Sequence, residues 1–420
     1  MKIEKSVITE GVTLSTHTTD KFKSAVMTVS FALPLDKETA SGYSLLTNLL
    51  SLSTGDYPTM QSFSVIKDEL YALGLDAFVQ RRSEILLVTL EISTIADSYA
   101  LNGEDVLNRA CRLLAGAIFR PYLVNGVFPL ENVESEKRCL IEELAAEIEN
   151  KPSYAMRQAR RIMCENEPFA TDAGGEIPRV QELNGADLVG FYNHALSNAP
   201  VYIVYVGEAS HQYVKQCITE NFPFTPRKTV IPQPTVHPYK GEIYRVCEKM
   251  EIEQSILNLG FTLKMPESPK DRAILSVYDE IFGGSPASKL FMNVREKEGL
   301  CYYCSSYPTG RKNVLFVSCG LEQGNEEKAI KAIYAQVKAM KKGDFTSSDL
   351  ENAKGSIIRN ILSVSSNLSS ASGYMLGQAL LPDAVSLEEN IEFIKAVTKD
   401  EVVALAKTVE PELEYILGNC

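Results

Sequence analysis

The chain is written twice over, and this limits its fold more than any other feature. A strand-like run, Ala25–Phe31, leads into a helical segment over Thr39–Leu52. A Gly/Asp/Pro break at Gly55–Pro58 and an amphipathic stretch from Gln61 to Leu73 follow. Gly74 and Leu75 then open two strands, Asp76–Gln80 and Ile85–Ile92. The second half repeats the order: a strand at Ser255–Phe261, a helix at Lys270–Phe282, and a break at Gly283 and Gly284. A helix over Pro286–Glu298 comes next, then Gly299 and Leu300 lead into strands at Cys301–Tyr307 and Val314–Gly320. Matching points lie about 225–230 positions apart. The halves also close alike, on strands at Tyr202–Gly207 and Tyr415–Gly418.

A chain of 420 residues exceeds what one core supports, which levels off near ~250–300 residues. The repeat therefore predicts two homologous domains, 1–222 and 239–420, joined by a Pro-rich linker over 223–238 that offers little core of its own. Neighbouring strands are close enough to pair as hairpins. The expected class is α+β, each domain a mostly antiparallel β-sheet with helices packed on one face.

The net charge of −12 argues against nucleic acid, which is held by Lys and Arg on phosphates, and against an anionic membrane surface. No apolar run approaches the ~20 residues needed to span a bilayer, and the first residues, Met1–Lys5, are followed by no apolar signal core. A cytoplasmic location is the expectation. The nine cysteines are odd in number and scattered, which fits reduced thiols better than a disulfide framework. The one close pair, Cys301 and Cys304, is expected to point its sulfurs to opposite faces of a strand, so it reads as packing. The four histidines show no i, i+3 or i, i+4 spacing, and no phosphate-binding loop with its Lys-Ser/Thr is present.

The densest motif runs from Gly283 to Tyr302: GGSPASKLFMNVREKEGLCY. Locally, Ser285 can cap a helix with Pro286 in its first turn. Leu290, Phe291 and Val294 form its buried stripe, and Gly299 suits the left-handed position that ends it. The order and spacing of Gly283, Gly284, Ser288, Leu290, Arg295, Glu296, Lys297, Gly299, Leu300 and Tyr302 closely resemble the pitrilysin/insulinase peptidase family, which includes insulin-degrading enzyme and mitochondrial processing peptidase. The likeness covers nearly the whole chain. It implies that Arg295 and Tyr302 contact substrate and the oxyanion of a tetrahedral intermediate, a role that can account for ~2.7–4 kcal/mol of barrier. The bland reading is a surface Arg and a half-buried strand Tyr kept for packing.

The same resemblance places an H-x-x-E-H zinc motif in the first half. The two His positions fall on Leu45 and Leu49 and the catalytic Glu on Asn48. Leucine offers a metal no lone pair, and an amide is no carboxylate base. Leu45, Leu46 and Leu49 at helical spacing read as core. The third-ligand position falls on Glu143, with a supporting acid at Glu136. Without the histidines, Glu143 reads as a solvated or paired helix residue. The chain thus resembles the bacterial members that lack zinc ligands and are encoded beside an active relative.

The expectation is a non-catalytic subunit with no catalytic residue, no metal and no cofactor of its own. Zinc would reside in an active, homologous peptidase partner, and this chain would add peptide substrate binding through Arg295 and Tyr302. A homodimer is left open. The alternative is a purely structural or scaffolding protein of the same fold. A self-sufficient hydrolase would need a nucleophile or metal to which nothing in the sequence points.

Overall fold

Runs rich in Val, Ile, Leu and Tyr pair as strands, and amphipathic stretches between them form capped helices. The computed structural model describes residues 1–228 and 231–419. Thr229 and Val230, within the expected linker, and Cys420 lie outside the described residues. The first half runs β1 (Glu4–Thr9), β2 (Val12–Thr18), β3 (Ser24–Pro34), α1 (Ala40–Leu52), α2 (Met60–Glu69), β4 (Gly74–Arg82), β5 (Ile85–Ile95), α3 (Val106–Phe119), α4 (Leu130–Ala146), α5 (Lys151–Met163), α6 (Ile177–Glu182), α7 (Gly185–Asn198), β6 (Val201–Gly207) and α8 (His211–Asn221). The second runs β7 (Tyr244–Lys249), β8 (Gln254–Thr262), α9 (Pro269–Phe282), a π-helical segment (Leu290–Lys297), β9 (Cys301–Pro308), β10 (Val314–Glu322), α10 (Glu326–Lys342), α11 (Ser347–Ser363), α12 (Leu368–Ala379), α13 (Leu387–Ala396), α14 (Lys399–Ala406) and β11 (Glu410–Gly418).

The sheets carry the repeat. One has the order β1-β2-β6-β3-β5-β4 and the other β7-β11-β8-β10-β9. In each, one parallel pair (β2 with β6, β7 with β11) is followed outward by antiparallel partners only. Apart from the additional β1, the two sheets superimpose in topology, and both are mostly antiparallel as expected.

Each sheet packs its main core against several helices on one face. The opposite face is also apolar, and a single helix covers it. That helix comes from the other half of the sequence. On the first sheet, Val26, Leu87, Val204 and Val206 pack against Ala371, Met375 and Leu376 of α12. On the second, Ile256, Phe316, Leu413 and Tyr415 pack against Ala155, Ala159 and Met163 of α5. Small residues let these helices approach closely. Gly260 in β8 serves the same end, since a Cβ there would stand 2.5 Å from the Met163 sulfur. The two helices are also built alike. Each follows a 17-residue helix and a short 3₁₀ turn, and each is capped by an Asn side chain, Asn150 or Asn367.

The compact units are accordingly interleaved. Unit 1 comprises Met1–Ala145, Thr171–Gln233 and Val364–Ala384; unit 2 comprises Ala146–Ala170, Pro234–Ser363 and Val385–Cys420. This differs from a consecutive division at 222 and 239, because a sheet with two apolar faces needs a cover on both. The Pro-rich stretch is irregular, as expected, yet its described ends are fastened. In unit 1, Arg227 is buried, and its guanidinium donates to the Leu196 carbonyl at 2.6 Å. In unit 2, the His237 ring bonds Glu167 at 2.5 Å and Glu412 at 3.0 Å, and the buried Lys312 ammonium pairs with Glu167. One thiol departs from the reduced state expected: Cys247 in β7 is disulfide-bonded.

The network around His237 makes unit 2 sensitive to pH. Burial works against a charged imidazole, but the bonds to Glu167 and Glu412 outweigh it and raise the pKa above 6.5. Burial likewise opposes a charged Glu167, but His237 and Lys312 hold its pKa below 4.5. The histidine contribution is complete below 6.5 and fades as pH climbs through the raised value. The glutamate contribution is complete above 4.5 and fades as pH falls through the lowered one. Chemical denaturation should therefore show the network's stabilisation at its fullest between those values and reduced in alkali. His237→Gln should flatten the alkaline loss, because the replacement does not titrate.

Candidate functional site

In unit 1, α1 is the helix on which the zinc ligands would sit. Its leucines point into the core: Leu45 and Leu46 are fully buried, and Leu49 and Leu50 nearly so. The positions that would have to present lone pairs to a metal are thus embedded in the main core, as the sequence predicts. Of the three positions, only Asn48 turns partly outward, and its amide donates to the carboxylate of Glu136 on α4. Burial, first of all, pushes Glu136 upward; the Asn48 bond opposes this, and nearby Glu143 adds to it. Asn48, Glu136 and Glu143 are therefore brought together, while the two Leu positions give the cluster no metal-binding side. Glu143 itself is exposed. Beside this helix runs β4, an edge strand whose outer side pairs with no further strand among the described residues.

The same unit holds a cavity of about 790 Å³, lined among others by Pro34, Tyr43, Leu183, Phe191 and His194. The Tyr43 hydroxyl bonds His194 Nδ1 at 2.8 Å, and burial pushes its pKa up to about 12. The phenol stays neutral, and the histidine tautomer sets which of the two donates. Sequence reasoning did not link these two residues, which lie far apart along the chain.

In unit 2, the dense motif folds around Asp279. Burial pushes this carboxylate up to about 7, against the opposing bond from Ser306. The backbone N–H groups of Gly283 and Gly284 donate to the Asp279 carbonyl at 2.9 and 2.8 Å. Gly283 is forced: a Cβ there would lie 2.5 Å from Ser306 Oγ and 2.6 Å from Leu290 Cδ1. The helix expected from Pro286 begins later and is wound as a π-helix, Leu290–Lys297. Ser285 does not cap it, because its hydroxyl donates to the Glu280 carbonyl instead. Leu290 and Val294 are buried as predicted. Phe291 is only half-buried, and the Arg295 guanidinium lies 4.4 Å above its ring centroid. Gly299 adopts φ +64° at the helix end, as its position implies.

Arg295 and Tyr302 flank that turn. Arg295 is partly exposed and 3.5 Å from Glu296; Tyr302 is 57% exposed. The ladder between β9 and β10 explains the latter. Tyr303 faces Gly320 and Cys301 faces Leu321, so Tyr302 is the extra residue of a β-bulge. The bulge also overturns the expectation for the Cys pair. One extra residue restores the facing, and Cys301, Cys304 and Cys319 bring their sulfurs within 4.8 Å of one another. Hydrogen bonds from Cys304 and Cys319, then the charge of Arg295, hold the Cys301 thiol below its ordinary value despite burial.

Comparison with known proteins places this geometry. Residues 182–357 match the profile described as "Peptidase M16 inactive domain". The "Probable inactive metalloprotease YmfF" of Bacillus subtilis is 27% identical over 97% of this chain and 96% of its own length. The "Uncharacterized zinc protease YmxG" of the same organism is 25% identical over 76% of each chain. Among solved structures, a conserved protein from Enterococcus faecalis superimposes with a TM-score of 0.89 at 26% identity, covering 100% of this chain and 99% of its own. An M16 inactive-domain protein from Pseudomonas fluorescens does so at 0.80 and 16% identity, covering 100% and 99%, and shares the fold.

The face of α1 that carries Leu45 and Leu49 should behave as core. Leu45→Ala should lower the unfolding free energy by about 2–5 kcal/mol. Asn48→Ala, at the rim, should cost no more than about 1 kcal/mol. Urea denaturation of the two variants checks the contrast.

Proposed function

The chain is an M16-family member of the inactive type, and we propose that it serves as the non-catalytic subunit of a zinc metallopeptidase heterodimer. The observation that carries this reading is a contrast within one molecule. Where the family would hold zinc, Leu45 and Leu49 are buried and Asn48 is spent on Glu136. Where it would hold substrate, Arg295 and Tyr302 are still presented outward on a built turn.

The partner supplies zinc and the water-activating carboxylate. This chain supplies a phenol and a guanidinium for the peptide carbonyl and its oxyanion. The edge position of β4 suits main-chain hydrogen bonding to an extended peptide, which recognises backbone and tolerates varied side chains. The relation to YmxG, whose name describes a zinc protease, supports a zinc-bearing homologue as the partner. Among the described residues no helix is long and apolar enough to cross a membrane.

The test is a peptide-cleavage assay with the zinc-bearing homologue alone, this chain alone, and the two mixed. Cleavage is expected only in the mixture. Arg295→Ala with Tyr302→Ala should lower it by about 10²–10³-fold while association persists. A partner rate that this chain leaves unchanged, or full activity with the double variant, would refute the proposal and favour a scaffolding protein.

A further inference from the structure

Three thiols converge in unit 2, and none of the roles above uses them. Cys304 and Cys319 face each other directly across β9 and β10, both buried. The bulge at Tyr302 swings Cys301 to the same side, half-buried at the margin. All three are free thiols, and their sulfurs lie within 4.8 Å of one another. With metal–sulfur bonds of about 2.3 Å, three thiolates around one ion sit about 4 Å apart. Closing the cluster onto an ion thus needs a shift of less than about 1 Å per pair. Paired strands hold two of the three side chains in place beforehand.

We propose that Cys301, Cys304 and Cys319 form a binding site for a single thiophilic d¹⁰ cation, held by three thiolates. Soft sulfur donors select Zn(II) or Cu(I) over harder ions. Binding displaces the thiol protons to solvent, so affinity rises with pH. The half-buried Cys301 leaves one side open. Zn(II) would take a water there as fourth ligand, whereas Cu(I) is satisfied by three sulfurs. Arg295 acts electrostatically on Cys301 and offsets the excess negative charge of three thiolates. A bound ion would also pin the bulge that presents Tyr302. The other close set of ligand types among the described residues, Cys164, Glu167 and His237, makes no such site. The Lys312 ammonium already neutralises its carboxylate, and both ring nitrogens of His237 are bonded to glutamates.

The experiment is an anaerobic titration of the reduced, metal-free full chain with Cd(II), read by thiolate-to-metal charge-transfer absorption. One equivalent should saturate a band of three-thiolate intensity. Cys301→Ser, at a half-exposed position that spares the core, should lose a third of that intensity and keep native circular dichroism; Cys304→Ser should do the same or worse. Cys139→Ser, at an exposed thiol elsewhere, should change nothing. Displacement of Cd(II) by Zn(II) would assign the four-coordinate form, and displacement by Cu(I) alone the trigonal one. No band in the native chain, or an undiminished band in Cys301→Ser, would overturn the proposal.

Discussion

The architecture depends on the seating of one helix from each half of the sequence on the sheet built by the other half, so that helix and sheet share one compact unit. A sheet made of runs such as Val26–Val29 and Val201–Val206 is apolar on both faces. Each buried aliphatic side chain contributes roughly 1.5–3 kcal/mol relative to exposure. The helices nearest in sequence cover one face only. Residues 1–222 by themselves would leave Val26, Leu87 and Val204 to water, because their cover, α12, lies beyond residue 363. The second sheet would likewise lack α5. The duplication made this exchange reciprocal, since corresponding helices cross in each direction. Glu167, His237, Glu412 and Lys312 then fasten the segment that follows α5.

Burial also separates α1 from the turn that carries Arg295 and Tyr302. Leucine at 45 and 49 makes that face of α1 part of the core and offers a metal no lone pair. Asn48, at the rim of that face, bonds the Glu136 carboxylate. The turn that carries Arg295 and Tyr302 follows a different course. Its buried Asp279, its Gly283 contact and its π-helical winding form a built support, and a bulge sends Tyr302 outward.

Much of this was legible in the sequence, for definite reasons. Strand and helix order followed from periodicity, and the burial of Leu45, Leu46 and Leu49 followed from their helical spacing. Gly299 announced a left-handed helix end. Three features were hidden because they depend on long-range geometry. Nothing in Lys151–Met163 distinguishes a helix that covers its own sheet from one that covers another. A single unpaired residue at Tyr302 reversed the facing of Cys301, and strand periodicity cannot signal a bulge. His237 lay in a Pro-rich stretch that composition marks as linker, yet it is buried between two glutamates.

The central claim is that this chain is one half of a working peptidase. Sedimentation velocity of the chain mixed in equal amounts with its zinc-bearing homologue tests it most directly. A single boundary at the mass of a one-to-one complex, absent from either protein alone, is the predicted result. Two independent boundaries at every concentration up to tens of micromolar would contradict it.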